Sequence, residues 1–228
     1  IMIMSLLKKI KNIYMANTYA IIGDREYYKD GDEWKKVNDN ELEQLNLLGL
    51  DLNEKTSYFN SKSDISSIVE DYKEALNEAS DEEKEGLNRQ KKLEIIDVIK
   101  NSNLSDEGKA YLYTKHYGDY ATVNALNSLG ISMNDYLELE SQNFTSDKYA
   151  NGKIITNSKK KKVMNYINSM NLTAEQKIIL AKLKYPSTKM YNSRIIKYLQ
   201  DTNYLDYDEK LLLLKKLGFK VENNKISW

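Results

Sequence analysis

The sequence predicts a mainly α-helical fold: stacked helical hairpins forming an irregular helical repeat, with one small β-hairpin near the N-terminus. Three observations lead there. Breakers are scarce, with one Pro and nine Gly in 228 residues, and an excess of Leu, Ile, Lys, Glu and Asn favours helix. A pattern then recurs three times. Its first copy runs Lys92, Ile95, Ile99, Leu104, Glu107, Lys109, Leu112, Tyr117. The second runs Lys160, Val163, Ile167, Leu172, Glu175, Lys177, Leu180, Tyr185, and a looser third Ile195, Leu199, Leu205, Asp208, Lys210, Leu213, Phe219. Each copy is an apolar stripe, a short polar break and a second stripe. That pattern marks a paired-helix unit that buries its face only by stacking on neighbours. Finally, a Leu-Gly-apolar connector occurs at Leu48-Gly49-Leu50, Leu129-Gly130-Ile131 and Leu217-Gly218-Phe219. There Gly takes the left-handed position that ends a helix, and the next apolar residue folds back on it.

Along the chain, Leu6, Leu7, Ile10, Ile13 and Tyr14 predict a short amphipathic helix over 5–15. Asp30-Gly31-Asp32 between aromatic runs predicts the β-hairpin within 19–37. Asn38-Asp39-Asn40 caps a helix through Leu42, Leu45 and Leu48. Asn53 and Asn134 read as N-caps of the helices after two of the connectors. Residues 64–87 read as one acidic helix, the first repeat fills 91–117, and helices follow over 120–129 and 134–142. Residues 143–158 read as a loop, and the other repeats occupy 159–185 and 193–219. Ser105 and Thr173 stand near acidic or Gln residues in a capping-box pattern, with Leu104 and Leu172 as hydrophobic staples. The domain division suggested is 1–40, helix plus hairpin, and 41–228, the helical repeat. A small turn with Trp228 docked closes the chain. Its Ile1 start suggests a piece of a longer chain, a processed product or an expression remnant.

Composition excludes several chemistries. With 41% hydrophobic and 30% charged residues the chain is soluble and folded. No Cys is present, which removes disulfides, thiolate catalysis, Cys-ligated zinc and iron–sulfur clusters. No apolar run reaches membrane-spanning length. No Cys accompanies His116 and no serine sits in a nucleophile-elbow pattern, so it fits a helix end, where a cation favours the C-terminal dipole. Asp30-Gly31-Asp32-Glu33 starts like a calcium loop, yet no EF-hand ligand series follows, and no Gly-rich phosphate loop is present. No metal, cofactor or catalytic residue is expected.

Charge is the remaining functional signal. The net charge is zero, but Asp64–Glu85 is acid-rich with only Lys73 and Lys84 as bases, whereas Glu175 is the sole acid between Lys153 and Lys197. The run Lys159-Lys160-Lys161-Lys162 opens a helix, where cations oppose the macrodipole by about 0.3–1 kcal/mol each. A partner explains that cost: a phosphate group or an acidic protein face. Candidate partner-binding residues are therefore Lys159, Lys160, Lys161, Lys162, Lys182, Lys184 and Arg194. Tyr166, Tyr185 and Tyr191 are possible stacking surfaces for bases. A solvated lysine face is the competing reading, and so is attraction between the acidic and basic halves within one fold.

At the second repeat the chain resembles a known group. Asn151-Gly152-Lys153-Ile154-Ile155, Ser158 to Val163, Tyr166-Ile167-Asn168-Ser169 and Glu175-Gln176-Lys177 look like the helical module of large polyvalent, virion-associated proteins of Firmicutes phages and mobile elements. Leu129 to Ser132, Asp135-Tyr136-Leu137 and Leu217 to Trp228 fit it too, so the resemblance spans roughly 91–228. It implies phage or prophage origin and a place in the virion or the host cytoplasm, with no catalytic residues to carry over. The expected function is a non-enzymatic interaction module binding a protein partner through charged helical faces. The alternatives are an inhibitor of a host defence nuclease of the CRISPR type and a nucleic-acid-binding accessory protein.

Overall fold

The computed structural model describes residues 13–15, 18–30, 32–142, 156–189, 191–222 and 225–227, with backbone alone at 13–15 and 156–159. The fold is mainly helical with a small N-terminal antiparallel sheet. The chain divides into two compact units, Ile1–Lys115 and His116–Trp228. Among the described residues no helix is long and apolar enough to cross a membrane.

The first unit begins with β1 (Ile13–Met15), β2 (Tyr19–Ile22), β3 (Arg25–Asp30) and β4 (Glu33–Lys36), an antiparallel meander in sequence order. One expected hairpin is thus three pairings. The anticipated helix over 5–15 falls largely outside the described residues, and its last part, Ile13–Met15, is strand. Asp30 and Glu33 pair across the expected hairpin turn, and the Gly23-Asp24 loop joins Ile22 to Arg25. Gly23 has φ 68° while Asp24 has no positive φ, the type II′ geometry whose twist matches paired strands. Cross-strand partners Tyr19 and Tyr28 both stack on Phe59, at 5.2 and 5.1 Å between centroids. That stack, with the Lys55–Glu26 ion pair at 3.2 Å, docks the sheet on a helix.

Four helices follow: α1 (Asp39–Leu47), α2 (Leu52–Glu78), α3 (Asp81–Asn101) and α4 (Asp106–Tyr117), whose last turn crosses the unit boundary. Asn38 caps α1, accepting from the amides of Asn40 and Glu41. The single acidic helix expected over 64–87 is broken at Ala79-Ser80. Ser80 and Glu83 form a reciprocal capping box that starts α3, so two orphan amides are satisfied at the break.

The second unit holds α5 (Tyr120–Ser128), α6 (Met133–Gln142), α7 (Thr156–Ser169), α8 (Ala174–Lys184), α9 (Asn192–Asp201) and α10 (Tyr207–Lys216), closed by the hairpin β5 (Lys220–Glu222) and β6 (Lys225–Ser227). Leu126, Ile131, Leu139, Ile167, Leu180, Leu199, Leu213 and Leu217 build its core. Trp228 and most of the 143–158 loop lie outside the described residues; Thr156 to Ser158 already belong to α7.

The repeat is physical. Ile95, Ile99 and Leu112 of the first copy are buried, as are Val163, Ile167 and Leu180 of the second and Ile195, Leu199 and Leu213 of the third. Ser105, Thr173 and Asp206 each accept a hydrogen bond from a first-turn amide of the copy's second helix. Four residues later a lysine reaches back to the end of the first helix. Lys109 donates to the Lys100 carbonyl (3.1 Å), Lys177 to that of Asn168 (2.8 Å) and Lys210 to that of Gln200 (3.3 Å). Each ammonium satisfies an orphan carbonyl at the negative end of the macrodipole.

The connectors are Schellman motifs. Gly49, Gly130 and Gly218 have φ 71°, 80° and 84°, and the next residue's amide closes on the helix: Leu50 to Leu45, Ile131 to Leu126, Phe219 to Leu214. The following N-caps are Asp51 and Ser132, two residues before the expected Asn53 and Asn134. Both Asn residues sit inside the helix, because the folded-back apolar residue leaves one position for the cap.

Candidate partner-binding surfaces

The lysine run starts deeper in its helix than its sequence suggested. Since α7 begins at Thr156, Lys160 is the fifth helical residue and Lys161 and Lys162 follow it. Macrodipole effects fade within the first turn, so the electrostatic cost inferred from sequence is largely absent for these three. The side chain of Lys159 lies outside the description. Lys161 and Lys162 are exposed. Lys160 is half-buried, with its ammonium 3.3 Å from the Thr188 hydroxyl and 5.2 Å above the Tyr185 ring.

Lys182 and Lys184 turn inward, and Arg194 stays exposed but paired. Lys182 is 4% exposed; its ammonium donates to the Thr188 carbonyl and lies 5.2 Å over Phe219. Burial pushes its pKa down. Lys184 pairs with Glu140 beside the Tyr136 ring. Arg194 holds Glu175 at 2.6 Å, a hydrogen bond that lowers the Glu175 pKa. Lys160 and Lys182 therefore meet at Thr188, while Lys184 and Arg194 are spent in separate ion pairs. The seven candidates do not form one cationic face. His116 is exposed near the end of α4, as its helix-end reading expected.

In the first unit the most perturbed carboxylate is Glu41, a residue the sequence did not single out. Its Oε1 accepts from the Tyr58 hydroxyl (2.7 Å), Lys62 (3.0 Å) and Lys115 (2.8 Å), and its Oε2 from Lys62 (2.7 Å). Lys115 also donates to the Tyr58 oxygen at 2.8 Å and stands 4.7 Å over Tyr111. Burial pushes the carboxyl up, but hydrogen bonds from Lys115, Lys62 and Tyr58 pull it down to about 2. Both oxygens accept hydrogen bonds, so this cluster fastens α1, α2 and α4 together.

The surface that differs most from a folded core is the far half of the α2–α3 pair. At 1.5 Å per residue α2, with 27 residues, is about 40 Å long. Its buried residues end at Ile65, and those of α3 begin at Ile95. Between them no residue is buried; Ile68, Tyr72, Leu76 and Leu87 are only half covered. No protein-family model matches this chain, and no curated protein or solved structure is significantly similar to it. The arm must therefore be read from its own chemistry. Residues 64–85 carry nine carboxylates against two lysines. Ala75, Ala79, Gly86 and Leu87 line an open groove near its tip, with Glu78, Glu83 and Arg89 beside them. Gly86 is helical, and a methyl group there would meet nothing within 4 Å. Neither a turn nor internal packing requires glycine at that position, which costs the helix about 1 kcal/mol relative to alanine. Among the described residues, no cluster of three or more metal-ligating side chains is present.

Proposed function

We propose that the chain is a non-enzymatic interaction module that binds a protein partner through charged helical faces, and that the α2–α3 arm is the principal face. The carrying observation is the stretch from 66 to 94, two paired helices without one buried residue. Helices in water draw most of their stability from packing an apolar face. An arm continued this far beyond the core, acid-rich from Glu70 to Glu85 and with an unexplained Gly86, suits contact with another molecule. The partner's complementary surface is cationic. Hydrogen-exchange footprinting with a candidate partner tests this: protection should concentrate at 66–94. Reversal of Glu74, Glu78 and Glu82 to Lys should abolish binding without loss of helicity; unchanged binding by that variant refutes the arm's role.

A second reading has its own support. Nine carboxylates along 22 residues present a polyanion to any groove built for nucleic acid. Inhibition of a host defence nuclease follows from that chemistry and from the phage-module resemblance. Purified defence nucleases assayed with the chain at low and high salt test it, since a competitor of this kind weakens as salt screens the charges. A virion-associated or injected role is checked separately by mass spectrometry of purified particles.

A further inference from the structure

Lys160 and Lys182 place two ammonium groups on one short loop residue, and no described carboxylate pairs with either. Lys182 is nine-tenths buried, with a carbonyl and the Phe219 face as its neighbours. Lys160 has the Thr188 hydroxyl and the Tyr185 face. Aromatic faces and neutral oxygens attract a cation but do not cancel its charge. Elsewhere in this unit three cations find acids: Lys184 has Glu140, Arg194 has Glu175, and Lys216 has Asp119. Like Lys177 and Lys210, which donate to backbone carbonyls, the pair at Thr188 has no described acid, and it sets two such ammoniums on one residue.

The two lysines, Tyr185, Thr188 and Tyr191 line one cleft between α7, α8 and the segment leading to α9. Tyr191, at φ 64°, is the N-cap of α9 and makes no side-chain cap hydrogen bond. The first-turn amides of α9 therefore lack the side-chain acceptor that Thr173 and Asp206 give α8 and α10. A non-glycine residue in this conformation is strained, and such strain persists where surrounding structure demands it. Asn192, the first residue of α9, is 4% exposed with neither amide atom hydrogen-bonded. Two ammoniums without a described acid, a hydroxyl and a helix start without a side-chain cap together describe a place for negative charge.

We propose that this cleft binds a small oxyanion of the phosphate class, held by the ammoniums of Lys160 and Lys182 and by the Thr188 hydroxyl. Burial lowers the Lys182 pKa, and a bound anion would raise it again. The site belongs to the second unit and is independent of the acidic arm, so either proposal can fail alone.

The test is calorimetric titration of the full chain at low ionic strength with inorganic phosphate, with methyl phosphate as second titrant and matched potassium chloride as control. Saturable one-site binding of phosphate, and not of chloride, is expected. Methyl phosphate separates the sources: binding of both titrants assigns the phosphate group of a larger molecule, and binding of inorganic phosphate alone assigns the free ion. Lys160→Gln should weaken binding at least tenfold while circular dichroism and melting stay as in the parent. Thr188→Val provides the same comparison should Lys160→Gln unfold. Absence of saturable binding at millimolar phosphate overturns the proposal, as does equal affinity in the parent and the folded variants. In either case the lysines serve only to hold the loop.

Discussion

Replacement of Glu41 by Gln should cost the first unit about 3 kcal/mol at neutral pH. The carboxyl is held at about 2 against an ordinary 4.5, a difference of about 2.5 pH units, and each unit corresponds to about 1.4 kcal/mol. The side chain is only 10% exposed, so solvent screening takes little of this away. The sign follows from linkage. A carboxyl with a depressed folded-state pKa contributes stability that is complete above the unfolded value near 4.5 and is lost as pH falls through about 2. Glu41→Gln removes the charge but keeps the shape, and leaves Lys62 and Lys115 facing a neutral amide. Urea denaturation followed by circular dichroism, with hydrogen exchange at α1 and α2 amides to localise the loss, should show a large deficit at pH 7 that narrows between pH 5 and 2. A deficit under about 0.5 kcal/mol at pH 7 would place the variant among ordinary surface substitutions and refute the reasoning. A deficit that does not shrink on acidification would refute it equally.

Other outcomes follow from particular residues. Gly49→Ala, Gly130→Ala and Gly218→Ala should all destabilise, by about 1–2 kcal/mol for the left-handed backbone alone. Gly218→Ala should be the worst, because its methyl would meet the Pro186 backbone oxygen at 3.0 Å while that of Gly49→Ala meets nothing; thermal melts give the ranking. Lys177→Met and Lys210→Met should each cost about 0.3–1 kcal/mol by releasing a helix-end carbonyl, and Lys109→Met more, since Lys109 is 7% exposed; urea midpoints measure this. Gly86→Ala should stabilise the arm by about 1 kcal/mol and, where a partner seats against that helix, weaken binding. Stability and affinity moving in opposite directions would mark the contact.

Local signals were legible in the sequence, and long-range ones were not. The three repeats and the three Leu-Gly-apolar connectors appeared in place because each rests on a few consecutive residues with one good conformation. The N-caps at Asp51 and Ser132 were misplaced by two positions, because Asp, Ser and Asn all cap well and only the backbone path after glycine chooses among them. The break at Ala79-Ser80 had a signal in the spacing of Ser80 and Glu83, but the continuous acidic character of 64–87 hid it. Lys184 pairs with a residue 44 positions away and Arg194 with one 19 away; no periodicity predicts such partners. A cationic face read from composition was thus largely consumed by the fold, and the acidic segment proved the freer surface. Glu41 carried no motif, since its three donors come from α2 and α4.

The lysines that close each repeat also make the fold chemically readable. An amine-selective reagent needs an accessible, uncommitted nitrogen. Exposed Lys161 should acylate quickly in the native chain, whereas Lys109, tied to a carbonyl and buried, and Lys182, buried against Phe219, should react only as their helices part. Lys109 lies in the first unit and Lys182 in the second. Their labelling rates, read by mass spectrometry along a denaturant series, would therefore time the opening of each unit separately, without any engineered probe.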